Sequence, residues 1–186
     1  MGLTMGSVLY DRTSKKLVYH VTFPEKEDWV IMDTVFNRIV NNKLVNRQFI
    51  PMLPSSTMFE FALQNNLNNF GLENSSYTIN KVDREGDMVI TTWLPDKRYA
   101  KVFGKVIVSK RAGKIVGVAF YSPKNELVKK QIFKGFLKSS GIEFPSEIYE
   151  VLYKEKGKET KISTYKNLRI NEMKDDALYN FPVPSK

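Results

Sequence analysis

The side chains that could perform chemistry are few and widely separated along the chain. The only histidine, His20, stands in the middle of an alternating apolar segment, and the chain contains no cysteine. A single histidine without a cysteine or a second histidine cannot form an ordinary zinc site. General-base catalysis would also need an orienting carboxylate and a nucleophile, which no neighbouring motif supplies. The sequence therefore predicts a structural imidazole on one face of a strand.

The acidic residues form two small groups that are typical of solvated turns. Glu25, Glu27 and Asp28 make up the first group, and Asp175 and Asp176 the second. A calcium loop would need alternating oxygen ligands around a glycine, and neither group has one. The ten glycines are spaced singly, so no phosphate-binding loop is present. We predict no enzyme activity, no metal site and no cofactor.

Composition indicates one folded domain over residues 1–186. The 186 residues are 42% hydrophobic and 12% aromatic, which suits a chain with a sizeable core and argues against disorder. No segment approaches the roughly 20 apolar residues of a membrane span. The net charge is +9, but the lysines are scattered and no nucleic-acid-binding motif accompanies them. Specific nucleic-acid binding is therefore not predicted, and non-specific attraction to polyanions stays open.

Alternation of apolar and polar residues is the dominant pattern. Residues 17–23 place every second side chain on one apolar face, and Pro24 ends the run. Turn residues recur every 10 to 15 positions or so without helical patterns between them, which favours an antiparallel meander over βαβ units. One such strand is predicted over residues 99–110.

One amphipathic helix interrupts the strands, over residues 55–70. Serines and a threonine offer caps at its start, Gly71 follows its end, and apolar residues recur at helical spacing along one side. A second short helix is predicted over residues 172–178. The apolar stripe of the first helix is the candidate lid, formed by Phe59, Leu63 and Leu67.

So few helices cannot cover a flat sheet of this size, because its apolar face would remain exposed. We therefore predict a mainly β (α+β) fold, with a strongly curved antiparallel sheet or incomplete barrel under a helical lid. Gly104, Gly117 and Gly135 interrupt strand patterns where such curvature needs bends. The interior is either filled or holds an apolar ligand, and the candidate wall residues are Tyr19, Val21, Phe23, Trp29, Ile31, Phe103, Ile107, Val118 and Phe120.

The order of elements in residues 6–33 resembles the front half of the periplasmic lipoprotein carriers, the LolA/LolB-like superfamily. A strand begins at Gly6 and closes on Arg12, an aromatic strand runs to Pro24, and an apolar strand ends at Asp33. Later features agree in order, including a helical segment after a proline-bounded loop, a strand pair ending in Leu-Pro and a Phe-Pro tail.

The resemblance implies a non-enzymatic protein whose half-open barrel holds lipoprotein acyl chains or another lipid. Partners would include envelope transport proteins, and the location would be periplasmic if a signal peptide has been removed. Arg12 matches the arginine that, in the carriers, hydrogen-bonds the lid backbone and holds the closed state. A donor-rich guanidinium at a barrel mouth suits that role.

Departures from the carrier pattern leave alternatives open. The amphipathic helix and strand that precede the Gly-started strand in carriers are not found here, so we expect a shortened chain or a reduced relative with a different lid. Without a cysteine near its start, the chain does not match the acylated, membrane-anchored receptor. The alternative function is a non-transporting envelope interaction or sensor module with a filled core.

Overall fold

A computed structural model describes residues 2–49, 57–172, 179 and 181–184 of the chain. The mainly β, antiparallel fold with few helices is confirmed, although the strands form two sheets rather than one. The five-stranded sheet contains β1 (Met5–Asp11), β2 (Lys16–Phe23), β3 (Glu27–Met32), β4 (Val35–Val40) and β5 (Lys43–Phe49), in that order.

The seven-stranded sheet follows a short helical region. Helix α1 (Met58–Leu63) leads into two 3₁₀ turns, Leu67–Asn69 and Leu72–Asn74. The strands are β6 (Tyr77–Glu85), β7 (Met88–Pro95), β8 (Val106–Arg111), β9 (Lys114–Tyr121), β10 (Leu127–Ser139), β11 (Ile142–Lys154) and β12 (Gly157–Thr164). Each strand pairs with its neighbours in sequence, as a meander requires.

The chain divides into two compact units. The first comprises residues 1–60 and 171–186 and contains the five-stranded sheet, and the second comprises residues 61–170 and contains the seven-stranded sheet. Organisation of residues 1–186 as a single functional domain stays a prediction.

One face of the five-stranded sheet carries an apolar core. Val18, Val30 and Ile39 are almost completely buried on this face, where Phe181 and Val183 pack against them. The ammonium group of Lys16 donates a hydrogen bond to the carbonyl of Phe181. Burial of this ammonium lowers the pKa of Lys16. The segment at residues 181–183 therefore belongs to the core of the first unit.

His20 lies on the same face and has a structural environment. Its Nδ1 is 2.5 Å from Oδ1 of Asp28, and its ring edge contacts Phe181 at a centroid distance of 5.3 Å. This pairing places the sole histidine against the C-terminal segment of its own unit.

The predicted helix over residues 55–70 is wrong in its length. Helix α1 ends because Asn65 adopts a left-handed backbone with φ of 58°. The N–H of Asn66 then reaches the carbonyl of Phe61 at 2.8 Å, and the N–H of Asn65 reaches that of Ala62 at 3.1 Å. These bonds form a Schellman motif, in which asparagine takes the place usually held by glycine. The cap candidates at residues 55–56 and the second helix predicted over 172–178, except Glu172, lie outside the described residues.

The strand predicted over residues 99–110 is also shorter than expected, since β8 begins at Val106. Residues 96–105 instead form successive turns, in which the N–H of Tyr99 bonds the carbonyl of Asp96 at 2.8 Å and the N–H of Val102 bonds that of Tyr99 at 2.9 Å. At the predicted bend, Gly135 has a φ of 54° and is absent from the paired positions of β10 and β11, although the register is the same on either side of it.

Candidate functional site

A buried carboxylate on α1 joins that helix to the edge strand of the five-stranded sheet. Glu60 is only 4% exposed. Its Oε2 accepts a hydrogen bond from the Tyr10 hydroxyl at 2.7 Å, and its Oε1 is 3.2 Å from Nε of Arg12. The ring of Tyr10 also stacks on Phe59 with centroids 6.4 Å apart. We call Tyr10, Arg12 and Glu60 the latch.

Local structure explains how the latch is positioned. Tyr10 lies near the end of β1, and Asp11 organises the turn that follows by accepting bonds from the Thr13 N–H at 2.9 Å and the Ser14 hydroxyl at 2.5 Å. This turn presents Arg12 toward Glu60. Partial burial would raise the pKa of Asp11, but the bonds from Ser14 and Thr13 outweigh it and hold that pKa below its ordinary value. Burial, together with the bond to Glu60, raises the pKa of Tyr10.

The face of the five-stranded sheet that carries Tyr10 is rich in half-buried aromatic residues, and we call it the aromatic face. Tyr19 pairs directly with Trp29 across β2 and β3, and their ring centroids are 5.9 Å apart. Trp29 in turn lies 6.3 Å from Phe36. Directly paired residues of antiparallel strands project from the same side, so these rings form one continuous apolar surface.

A polar pair borders the aromatic face. The indole N–H of Trp29 donates to Oε1 of Glu27 at 2.8 Å, and Nε of Arg38 donates to the other oxygen of that carboxylate at 2.5 Å. Glu27 thereby orients the indole while its charge is balanced by Arg38.

In the second unit, the helical region packs on part of one face of the seven-stranded sheet, at β9 and β10. Phe70 contacts three other rings, with centroid distances of 5.4 Å to Phe61, 5.5 Å to Phe120 and 6.2 Å to Phe133. Leu67 and Leu72 on either side of it are buried. Phe70 therefore occupies the apolar surface that Phe120 and its neighbours would otherwise offer to a ligand.

Backbone strain coincides with this contact. Phe70 has φ of 53° and ψ of 35°, a left-handed conformation that is uncommon for a bulky side chain. Two hydrogen bonds attach the strained segment to the sheet. Oδ1 of Asn68 accepts a bond from the Ile115 N–H at 3.2 Å, and Oδ1 of Asn69 accepts one from Nζ of Lys110 at 2.7 Å. Such strain costs about 1 kcal/mol or more and is often found at switch regions.

The architecture can be compared with known proteins. A LolA superfamily protein from Nitrosomonas europaea superposes with a TM-score of 0.55 at 11% identity, over 97% of this chain and 82% of that one. The chain has a LolA-like fold. Weaker likenesses are an outer membrane lipoprotein-sorting protein domain from Vibrio parahaemolyticus (TM-score 0.45, 19% identity, 86% of this chain and 67% of that one) and a DUF1329 family protein from Desulfovibrio piger (0.48, 16%, 95% and 75%). No protein-family model matches the sequence, and no curated protein matches it.

Within the LolA-like fold, most of the predicted wall residues fall on the expected apolar faces of the separate sheets. Val21 and Ile31 are buried, and Tyr19 and Trp29 are half-buried on the aromatic face. Phe23, at the end of β2, is 48% exposed. In the other sheet, Val118 is buried and Phe120 contacts Phe70.

Two predicted wall residues are not grouped with the others. Ile107 pairs with Ala119, whereas Val108 pairs with Val118, so Ile107 projects from the face opposite to Val118 and Phe120. Phe103 lies outside any strand, in the turns of residues 96–105, and is 51% exposed. The role of each wall residue in ligand binding stays a prediction.

The predicted lid residues are all in the helical region, but they do not share one helix. Phe59 and Leu63 belong to α1, while Leu67 begins a 3₁₀ turn beyond the Schellman motif. Arg12 reaches α1 through the Glu60 carboxylate, whereas the resemblance implied a bond to the lid backbone. Glu60 is the residue that the sequence analysis did not identify.

Two cavities lie within the second unit of this LolA-like fold. One, of about 360 Å³, is lined by residues of the helical region and by Phe136, Lys138 and Glu143. The ammonium groups of Lys138 and Lys114 lower the pKa of Glu143. The other, of about 220 Å³, is lined by Ser75, Ser76, Tyr77, Pro95, Tyr99 and Phe103.

In the part of the chain that the structure describes, no cluster of three or more histidine, cysteine, aspartate or glutamate residues could hold a metal ion. Among the same residues, no helix is long and apolar enough to cross a membrane.

Proposed function

We propose that this protein is a non-enzymatic periplasmic carrier that binds the acyl chains of lipoproteins or another apolar ligand. The ligand takes the place of the helical region on an apolar sheet face. The observation that carries the proposal is the packing of Phe70 on Phe120 and Phe133, because this contact covers an apolar sheet face with a short, strained segment. The LolA-like fold supports the proposal, since a similar fold occurs in a protein of the LolA superfamily.

Ligand exchange follows from the energetics of the covered face. Burying one CH₂ group contributes about 0.8 kcal/mol, so a chain of several methylenes can replace the contacts that Phe70 gives up. Net affinity stays moderate because the ligand must first displace those contacts. A carrier needs this property, since its cargo has to be released.

The latch has a defined part in this proposal. Arg12 and Tyr10 hold the first turn of α1 through Glu60, and α1 leads into the segment that carries Phe70. Envelope transport proteins are the proposed partners that deliver and accept the cargo.

A fluorescent fatty acid, displaced by a diacylated lipopeptide, tests the proposal directly. Phe70→Ser removes the competing ring and should tighten probe binding by about fivefold to thirtyfold, corresponding to about 1–2 kcal/mol. Leu63→Asp places a charge in α1, weakens the packing of the cover and should likewise tighten binding, while far-UV circular dichroism retains the sheet signal. Phe49→Ser is the matched control, because Phe49 is 72% exposed and lies on the edge strand β5.

The results separate a carrier from a filled-core module. Probe binding that tightens with both Phe70→Ser and Leu63→Asp supports the carrier. If neither the parent protein nor Phe70→Ser binds the probe, the apolar face is ordinary core and the carrier proposal fails.

A further inference from the structure

The turns at residues 96–105 present apolar side chains to solvent in a defined geometry. We call this segment the basic loop. The Phe103 N–H bonds the Tyr99 carbonyl at 2.9 Å, and the Tyr77 hydroxyl donates to the Gly104 carbonyl at 3.0 Å. A Cβ on Gly104 would lie 2.2 Å from the carbonyl oxygens of Tyr121 and Ser122, so the end of the loop is packed tightly against β9. The loop is therefore an ordered platform.

Three large apolar residues of the basic loop remain outside any core. Tyr99 is 40% exposed, Val102 67% and Phe103 51%. The rings of Tyr99 and Phe103 stand 6.5 Å apart, and both line the cavity of about 220 Å³. Exposure of these apolar side chains to water is unfavourable, so their burial against a partner would be favourable.

Cations surround these apolar side chains. Lys97 and Lys101 are exposed and form no ion pair with any residue that the structure describes. Arg98 is shared between Asp96, at 3.0 Å, and the ring of Tyr99, at 5.6 Å from its centroid. The Lys105 ammonium lies over the Tyr121 ring at 4.5 Å. Against four basic residues the loop has one carboxylate, and that carboxylate is already paired with Arg98.

We propose that the basic loop docks on the surface of an anionic phospholipid bilayer. Val102 and Phe103 enter the interface between headgroups and acyl chains, and Lys97 and Lys101 contact the anionic headgroups. Charge complementarity selects this partner, because each lysine or arginine near such a surface strengthens binding about fivefold. The exposed aliphatic Val102 favours a bilayer over a nucleic acid, whose phosphates and bases offer it no comparable apolar environment.

Docking does not depend on the acyl-chain site, so the two proposals can fail separately. The test is co-sedimentation of the full chain with phosphatidylcholine vesicles and with vesicles containing about 30% phosphatidylglycerol. We expect binding to the anionic vesicles only, and weaker binding as added salt shortens the Debye length. The double variant Lys97→Glu/Lys101→Glu should weaken binding by at least about 25-fold, from the fivefold contribution of each cation.

An apolar variant and two matched controls complete the design. Val102→Ser/Phe103→Ser should weaken binding by about tenfold or more without changing the net charge. Val45→Ser/Phe49→Ser removes another exposed valine and phenylalanine, 53% and 72% exposed, and should bind as the parent does. Lys124→Glu/Lys158→Glu alters the net charge by the same amount as the lysine variant, and it should also retain binding apart from a small general loss.

Several results would overturn the proposal. The proposal fails if the parent protein does not bind anionic vesicles or if the loop variants bind them as well as the parent does. It also fails if the control variants lose as much binding as the loop variants. Equal binding to phosphatidylcholine vesicles would remove the electrostatic basis of the proposal. Loss of oligonucleotide binding in the loop variants, without any vesicle binding by the parent, would assign the loop to nucleic acid instead.

Discussion

Replacing Tyr10 with phenylalanine tests the latch without changing the packing of the ring on Phe59. The substitution removes one hydrogen bond, 2.7 Å long, to a buried carboxylate. Hydrogen bonds to charged groups contribute about 1.5–3 kcal/mol, so we expect the free energy of unfolding to fall by about 2 kcal/mol. Arg12→Ala should cost less than about 1 kcal/mol, because the Arg12 side chain is 58% exposed and solvent screens its charge.

Two measurements on the same Tyr10→Phe protein have opposite expected signs. Urea unfolding followed by tryptophan fluorescence should show a lower midpoint with an unchanged slope. Titration with the fluorescent fatty acid should show tighter binding, by up to about thirtyfold, because a weakened latch makes the helical region easier to displace. Tyr149→Phe is the control, since the Tyr149 hydroxyl donates to Oε2 of Glu147 at 3.0 Å, and Glu147 is more exposed than Glu60. We expect no measurable change for it.

The opposite signs make the reasoning refutable. A Tyr10→Phe protein as stable as the parent would show that the bond to Glu60 does not hold α1. Lower stability accompanied by weaker probe binding would show that the latch supports the binding surface rather than restraining its cover.

Three further predictions concern the segments that position the latch and Phe70. Asn65→Ala should lower the free energy of unfolding by about 1 kcal/mol, because alanine tolerates the left-handed conformation poorly, while Asn65→Gly should not lower it. Gly71→Ala should cost about 1–3 kcal/mol in the same urea assay, since its Cβ would lie 2.4 Å from the Phe61 ring; Gly86→Ala, with positive φ and open space, should cost less. The folded-state pKa of Asp11 is below 3.8, so its contribution to stability is present above that pH and disappears as the pH falls through the lower folded value. Asp11→Asn should therefore lose less stability than the parent between about pH 5 and about pH 2.

Contrary results for these three are equally specific. Equal stability of Asn65→Ala and Asn65→Gly would remove the Schellman motif as the reason that α1 ends. Equal costs for the two glycine substitutions would mean that backbone strain, and not contact with Phe61, dominates at Gly71. An unchanged acid profile for Asp11→Asn would exclude the turn as a source of pH dependence.

Period-two alternation indicated the aromatic face in β2, where the polar residues His20 and Thr22 separate Tyr19, Val21 and Phe23. Tyr19, Trp29 and Ile31 were expected on one face, and the register of β2 and β3 places them there. The same pattern could not orient β8, where Ile107 and Val108 are both apolar. Only pairing with β9 shows that Val108, and not Ile107, shares a face with Val118.

The helical region shows where an apolar stripe is insufficient evidence. Leu63 and Leu67 are four residues apart, as a continuous helix requires, and this spacing led to the longer predicted helix. Four asparagines at positions 65, 66, 68 and 69 oppose that spacing, because asparagine favours caps and turns over helix interiors. The asparagine run was the available local signal for an early end of the helix.

Glu60 could not be recognised from its neighbours in the sequence. It stands between Phe59 and Phe61, where a single carboxylate would ordinarily be the polar side of an amphipathic helix. Its partner Tyr10 is 50 residues away, and no local pattern connects the two. Contacts of this kind depend on packing between distant segments, which alternation and helical spacing do not describe.

A buried charge gives the proposed cover a property that a purely apolar helix would lack. An apolar residue at position 60 could pack without a specific partner, and replacing buried ion pairs by hydrophobic residues is often neutral or stabilising. Glu60, in contrast, is buried with its oxygens bonded to Tyr10 and Arg12, and these bonds depend on one geometry. The buried position of α1 is therefore restricted to one geometry. When α1 is displaced, the Glu60 carboxylate becomes hydrated, and its hydration free energy offsets part of the free energy that displacement costs. A carrier that must both cover its apolar face and release that cover needs such a balance, and Glu60→Leu should shift it toward the covered state and weaken binding of the acyl probe.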